Sequence, residues 1–323
     1  MMAGYWLSQA IYVAAKLGIA DLLKDGPKGS GELAQAVGAD PRSVYRLMRA
    51  LASAGIFRAR EDSCFEMTAL AAQLQTGVSG SMRAMLIALG EEHYRAWGEL
   101  LYSVKTGEAA WNHVYQMGIF EYFARHPGAG WKFAEAMTDL TAQISRAVTL
   151  AYDFSAISTL VDVGGGHGTL IRAVLGANPK MRGILFDGPA VVEAGQKQID
   201  AAGLSERCQT VAGDFFKSVP AGDAYILKSV IHDWDDDRAA MILRNCRRAM
   251  APEGKVLLIE MIVPSGDEPS FTKLLDLNML VISGGRERTE SEYGALLAGA
   301  GFKLTRIIPT MFAMSVIEGE KSD

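Results

Sequence analysis

From Thr159 onward the chain alternates between two rhythms. Short apolar runs, TLVDV (159–163), GILFD (183–187), QTVAGD (209–214), AYILK (224–228) and KVLLIEM (255–261), are separated by stretches of helical character at 168–177, 189–203 and 236–251. Runs this apolar have no face suited to water, and strands joined through helices run parallel. The pattern predicts an α/β domain, a mostly parallel sheet covered on both faces. The end of the chain departs from it. A helix near 289–300 is followed by FKLTRII, Pro309 and MFAMSVIEG, two runs joined by a short turn, which predicts an antiparallel edge.

Before Ser155 the apolar period is helical. Leu7, Ile11, Ala14, Ala15, Ile19, Leu22 and Leu23 recur at helical spacing, as do Phe120, Phe123, Phe133, Met137, Leu140, Ile144 and Val148. The change of rhythm sets a boundary near 150–157, and the expected division is 1–85, 86–155 and 156–323. Residues 30–68 have a helix-turn-helix shape followed by a hairpin-like wing, with Asp40 able to cap and Pro41 at the first helical position. Residues 28–60 hold six basic groups, Lys28, Arg42, Arg46, Arg49, Arg58 and Arg60, against Glu32 and Asp40. A DNA-binding regulator is therefore an alternative. Against it, the whole chain carries a net charge of −5, and no basic arm extends the patch.

The 323 residues suffice for two domains, and 49% hydrophobic with 21% charged residues is an ordinary globular balance. Cys64, Cys208 and Cys246 are far apart and form no CxxC pair, which argues against a zinc site or disulfide scaffold and fits a reducing cytoplasm. The apolar start lacks a basic leader region and is interrupted by Gln9, Lys16 and Asp21; no later run offers 18 uninterrupted apolar residues. A cytoplasmic protein with no membrane partner is the expectation.

The segment LVDVGGGHGTLI (160–171) carries the first chemical signal. Gly164, Gly165, Gly166 and Gly168 make a turn without β-carbons between a strand and a helix, so a ligand can lie against bare backbone at the carboxyl edge of the sheet. Asp187 ends the next strand, where an acid can accept from ribose hydroxyls. Asp214 is read as ending the third strand, placed to bind an amino group such as that of adenine, and Phe215 can cover the ring. Asp162 is a polar group in a buried strand and needs a partner, from loop amides or a bound cation. The run G-G-G-H-G is not the G-x-G-x-x-G of dinucleotide binders, which weakens a nicotinamide oxidoreductase. An acid upstream of the turn suits a ligand with a cationic end, which points to S-adenosylmethionine.

YILKSVIHDWDDD (225–237) places His232 one loop beyond the fourth strand, on the same edge. A neutral histidine there can take a proton from a hydroxyl as a methyl group moves. A phenol of pKa about 10 is ionised to about one part in a thousand at pH 7, and freeing it beforehand costs about 4 kcal/mol. An imidazole near its ordinary value of about 6.5 can accept that proton instead. Asp233 need not orient its neighbour, because adjacent side chains often diverge. Glu260, ending the fifth strand, and Glu287, after a glycine turn, are better placed to hold the imidazole tautomer. Asp235, Asp236 and Asp237 are read as carboxylates at the positive end of a helix that Pro252 and Gly254 stop, rather than as a metal cluster. Lys228 points to the adenine or to solvent.

These motifs together resemble the small-molecule S-adenosylmethionine-dependent O-methyltransferases of the caffeate, hydroxyindole and antibiotic-tailoring type. LVDVGGGHG, LFDGPAV, AGDFF, LKSVIHDWDD and GGRERTESEYGALLAGAGF stand in the family's order, and GYWLSQAIYVAAKLGIADLL is similar to its N-terminal dimerisation helices. The resemblance implies a Rossmann-like seven-stranded methyltransferase sheet behind a mainly helical winged-helix dimerisation domain that does not bind DNA. It implies cofactor contacts from Asp162, Gly164, Gly166, Asp187, Asp214, Phe215 and Lys228, and S-adenosylhomocysteine as product. It implies His232 as base with Glu260 and Glu287 beside it, and no metal. Met137, Asp233, Asn278 and Met279 are the implied substrate contacts, Asn278 by likeness to the hydroxyindole branch. The implied partners are a small aromatic hydroxylated substrate and a second copy of the chain. ISGGRERT lacks the Asn-Pro that plant members often carry, so a plant substrate does not follow. Some relatives keep the fold with altered chemistry, which stays an alternative.

Overall fold

The computed structural model describes residues 2–78 and 80–322, and the chain divides into two units. The first comprises Met1–Arg95 and Phe120–Leu140. Its helix-turn-helix is built from helices Ser30–Val37 and Pro41–Ser53, and the Asp40 carboxylate accepts the Ser43 N–H at 2.8 Å. Val44, Met48 and Leu51 form the buried face of the second helix and pack with Leu33, Phe57 and Phe65, while Arg42, Arg46 and Arg49 stay exposed. Strands β1 (Lys28–Gly29), β2 (Phe57–Ala59) and β3 (Cys64–Met67) form a small antiparallel sheet in the order β1-β3-β2, the expected wing. Arg58 and Arg60 both pair with Glu66, so part of the basic patch is neutralised within the wing itself.

The second unit comprises Ala96–Ile119 and Thr141–Asp323. It holds a seven-stranded sheet of β4 (Thr159–Val163), β5 (Arg182–Asp187), β6 (Cys208–Ala212), β7 (Gly222–Lys228), β8 (Met250–Met261), β9 (Phe302–Pro309) and β10 (Met314–Lys321). The order is β6-β5-β4-β7-β8-β10-β9. Strands β4 to β8 pair in parallel, and β10 inserts antiparallel between β8 and β9. The strand order reverses at β4 and β7, which opens a crevice at the carboxyl edge of the sheet where ligands of α/β folds bind. The core on one face joins Val161, Val163, Tyr225, Leu227, Val256 and Leu258 to Ile242, Leu243 and Leu297 from the covering helices.

Two expectations about element ends need correction. The helix Asp236–Ala249 ends before Pro252, and β8 begins at Met250. Met250 pairs with Gly222 and Lys255 with Ala224, so Ala251–Gly254 bulge out of register, where a proline without an N–H costs no ladder bond. Strand β6 stops at Ala212, so Asp214 lies in the loop beyond it rather than at its end. Among the described residues no helix is long and apolar enough to cross a membrane.

Candidate active site

The glycine turn follows β4 directly. Gly164, Gly166 and Gly168 have φ of +69°, +59° and +73°, a region open to glycine at no steric cost, and the helix Thr169–Ala177 starts from it. Gly165 is required for space instead. A β-carbon there would lie 2.6 Å from the Asp162 carboxyl carbon and 2.5 Å from Leu185. Asp187, at the end of β5, accepts the Gly166 N–H at 2.8 Å and the Gly188 N–H at 2.6 Å. It therefore braces the turn that it was expected to serve only as a ribose acceptor. Burial lifts its carboxyl above the usual range against the pull of those two amides.

Asp162 is buried, and its Oδ2 has no hydrogen-bond partner among the described residues. Burial pushes its pKa up to about 7, with the Lys228 charge opposing. An acid in this state suits a ligand that brings a cation or an N–H donor. Phe215 borders the turn, its ring 3.8 Å from where a Gly164 β-carbon would sit. Asp214 caps its own loop by accepting the Phe216 N–H at 2.9 Å. Lys228, at the end of β7, is half-buried rather than solvent-facing. Burial lowers its pKa, while Glu260, Asp162 and Asp233 act to raise it.

Beyond β7 the chain turns at Ser229, whose φ of +53° is uncommon for a residue with a side chain. The next two backbone N–H groups, of Val230 and Ile231, both donate to Glu260 Oε1 at 3.1 and 3.0 Å. His232 follows in a short 3-10 turn, Ile231–Asp233. Its Nδ1 lies 2.7 Å from Glu287 Oε1 and 3.6 Å from Glu260 Oε2. A carboxylate can only accept, so Nδ1 carries the proton, and Nε2 is the basic nitrogen of the neutral ring. Asp233 Oδ1 lies 3.8 Å from Nε2, on the opposite side of the ring from the two glutamates. The His232 side chain is 14% exposed while those of Glu260 and Glu287 are fully buried, so of the three only the imidazole can be approached.

The expectation of an ordinary imidazole is overturned. Burial acts to lower the His232 pKa, but the Glu260 charge, the Glu287 hydrogen bond and Asp233 outweigh it and raise it to about 10. Glu260 is pushed up by burial, against the pull of His232. Three acids around one imidazole favour its protonated form, and a further positive charge among them would oppose it. The same three atoms, one from each of His232, Glu260 and Glu287, lie within 4.8 Å of one another, a spacing open to a metal ion. Their hydrogen-bond partnership is the competing use. Asp235, Asp236 and Asp237 do not converge as a metal cluster: Asp235 caps its helix through the Arg238 N–H, and Asp236 pairs with Arg288.

Asn278 and Met279 lie on the helix Phe271–Ile282. The Asn278 Oδ1 accepts the Trp97 indole N–H at 2.8 Å. An indole can only donate, so the amide must turn its oxygen to Trp97 and its NH2 away. Asp276, on the same helix, accepts the Glu287 N–H at 2.9 Å and ties this helix to the acid beside His232. Met137 belongs to the first unit, on the helix Pro127–Ala151. Sequence reasoning passed over Arg288 and the Trp97–Asn278 pair, because both act through partners remote in the chain.

Residues 97–303 match the family profile described as an O-methyltransferase domain, and residues 1–77 match that of an O-methyltransferase dimerisation domain. The chain is 49% identical over 319 residues to a phenazine O-methyltransferase of Lysobacter antibioticus, covering 98% of this chain and 94% of that protein. It is 38% identical to a mitomycin biosynthesis 6-O-methyltransferase of Streptomyces lavendulae, covering 96% and 89%. The crystal structure of LaPhzM superposes with a TM-score of 0.95 at 48% identity, covering 99% of this chain and 97% of the other.

Proposed function

Because the chain belongs to the S-adenosylmethionine-dependent O-methyltransferases, we propose that it methylates a hydroxyl group of a planar, polycyclic aromatic metabolite, with a hydroxyphenazine as the first acceptor to try. The acceptor class follows the phenazine and mitomycin enzymes to which the chain is similar. We further propose that the chain works as a homodimer through its dimerisation domain and needs no metal.

The observation that carries the reading is the orientation of His232: Nδ1 held by Glu287, Nε2 left for an acceptor, on the edge that also carries the glycine turn. S-adenosylmethionine supplies an electrophilic methyl group on a cationic sulfur. Asp162, Gly164, Gly166, Asp187, Asp214, Phe215 and Lys228 are the residues that would hold it. The unpartnered Asp162 oxygen and the open side of Gly166 suit such a ligand. A cation bound among these acids lowers the affinity of His232 for its proton, so the base becomes available when the methyl donor is in place. His232 Nε2 then takes the hydroxyl proton as the oxygen becomes nucleophilic, and Glu260 and Glu287 stabilise the imidazolium that forms. Asp233, Asn278 and Met279 are proposed to contact the acceptor. A hydroxyl needs such a base, whereas a ring nitrogen with a free lone pair would not, which favours O- over N-methylation.

The test is an incubation of the purified protein and its His232→Ala variant with isotopically labelled S-adenosylmethionine and a panel of hydroxyphenazines, naphthols, hydroxyquinones and hydroxyindoles. Products are read by mass. A labelled methyl ether from the unaltered protein, lost on the order of 100-fold in the variant, is expected. Equal turnover by the variant would remove His232 as base, and labelled N-methyl products alone would overturn the hydroxyl assignment.

A further inference from the structure

Arg288 is fully buried, and every guanidinium N–H has an acceptor. Nε and Nη2 donate to Asp236 Oδ1 at 2.9 and 2.7 Å. Nη2 also donates to the Trp234 carbonyl at 3.0 Å, and Nη1 to the carbonyls of Ile231 and Arg286 at 3.2 and 3.3 Å. Ile231 and Trp234 bracket His232. If Arg288 were only a buried cation with its counter-ion, Asp236 would suffice. Three of its five contacts go instead to backbone oxygens, two of them on the turn that carries the imidazole.

The rest of the segment grips the same turn. The Arg286 N–H donates to the His232 carbonyl at 2.9 Å, and Glu287 reaches His232 Nδ1 from the next position. Gly285 packs so closely that a β-carbon there would lie 2.0 Å from the His232 carbonyl oxygen. On its other side the segment is tied to the sheet, since the Val263 N–H donates to the Arg288 carbonyl at 2.9 Å.

We propose that Arg288, with Asp236 as its counter-ion, is a positioning residue for His232: its planar fork fastens the His232 turn to the segment that carries Glu287, so the imidazole and its carboxylate keep one fixed geometry. It acts through His232 and is not itself a catalytic residue. The inference rests on the reading of His232 as base for its consequence in turnover, but not for its structural content. Lysine cannot replace it, because a compact ammonium with three donors cannot span both carbonyls and the carboxylate.

The test reads the position of the imidazole through its titration, which needs no acceptor. Protein labelled with 13C at histidine Cε1 is titrated by NMR, and the His232 signal is identified by its loss in His232→Gln. The groups facing this ring are Glu260, Glu287 and Asp233, with Lys228 as a further charge facing two of those acids. In Arg288→Lys the midpoint should fall by about one unit or more, as the ring loosens from Glu287. In Asp236→Asn a smaller fall in the same direction is expected, and S-adenosylhomocysteine affinity by calorimetry should be unchanged in both. A midpoint equal to that of the unaltered protein in either folded variant overturns the proposal. Should Arg288→Lys fail to fold, Asp236→Asn, whose side chain is 59% exposed, carries the test alone. Turnover separates the two readings: a lowered midpoint with undiminished turnover would keep Arg288 as a positioning residue and remove His232 as base.

Discussion

His232 Nδ1 and Glu287 Oε1 lie 2.7 Å apart, and this contact decides which face of the imidazole is left for chemistry. Glu260 stands differently. It is 3.6 Å from the same nitrogen and spends its other oxygen on two backbone N–H groups of the turn. The two acids should therefore fail in different ways. Glu287→Gln keeps an oxygen for Nδ1 but loses the charge and puts an NH2 in place of the buried, unpartnered Oε2, and is expected to lower kcat on the order of 100-fold with cofactor affinity little changed. Glu260→Ala leaves the Val230 and Ile231 N–H groups without their acceptor, which costs about 1–3 kcal/mol for each and so more stability than Glu287→Gln loses, as well as rate. Steady-state kinetics beside thermal unfolding of both variants checks the contrast. Equal loss of stability in the two would refute it.

The pH dependence follows from the raised imidazole. As the proposed base His232 has to be neutral, and the surrounding acids, which raise its pKa to about 10, oppose that at pH 7. A cationic methyl donor lowers that value, whereas its neutral thioether product does not. Turnover at saturating donor is expected to climb with pH to a midpoint between about 6.5 and 10. The His232 signal should titrate lower with a sulfonium ligand bound than with S-adenosylhomocysteine. The stability sign is fixed too. A group raised on folding stabilises fully below its unfolded value of about 6.5 and loses that contribution as pH rises through about 10. The gap in thermal midpoint between the unaltered protein and His232→Gln should narrow from pH 7 to pH 10; a gap that widens would contradict the assignment.

Gly165 makes a packing prediction rather than a conformational one. Its neighbours Gly164 and Gly166 need positive φ, but Gly165 is glycine because Asp162 and Leu185 occupy the place of a side chain. Leu185 can rotate; Asp162 is held in the buried β4. Gly165→Ala should cost about 1–3 kcal/mol from overpacking. It should also weaken S-adenosylhomocysteine binding by displacing the Asp162 carboxyl. Denaturant unfolding and calorimetry check the two halves, and unchanged ligand affinity would take Asp162 out of the cofactor site.

What could be read in advance followed the range of the interaction. Strands β4, β5 and β7 were visible because strands covered on both faces are apolar throughout, and the Asp40 cap because it acts three residues away. Glu260 and Glu287 were placed beside His232 by topology, since strand ends and the following loops share one edge. The insertion of β10 between β8 and β9 left no local trace, and the bulge at Ala251–Gly254 looked like a helix stop. Arg288 donates to backbone carbonyls, which every residue has, so no sequence pattern marks it. The imidazole pKa depends on three acids arriving from separate segments, and the ordinary value was the wrong starting point for that reason.

The Trp97–Asn278 bond carries the last prediction, which concerns the acceptor. Trp97 can offer Asn278 only a donor, so it holds the amide oxygen and turns the NH2 outward. No side chain or backbone oxygen among the described residues takes that NH2 at hydrogen-bonding distance. An amide fixed in this way recognises an acceptor atom, such as a carbonyl, carboxylate or ring nitrogen beside the reacting hydroxyl, and rejects a donor. Trp97→Phe keeps most of the apolar bulk and removes the lock. The amide can then present either end, and one hydrogen bond's selectivity is lost, about 1 kcal/mol or roughly fivefold in KM for the acceptor. Cofactor affinity should not move, since neither residue lies on the glycine turn. A KM that rises for acceptor-bearing substrates but not for analogues lacking that atom is the expected result; equal KM changes for both would mean that Asn278 does not read the substrate.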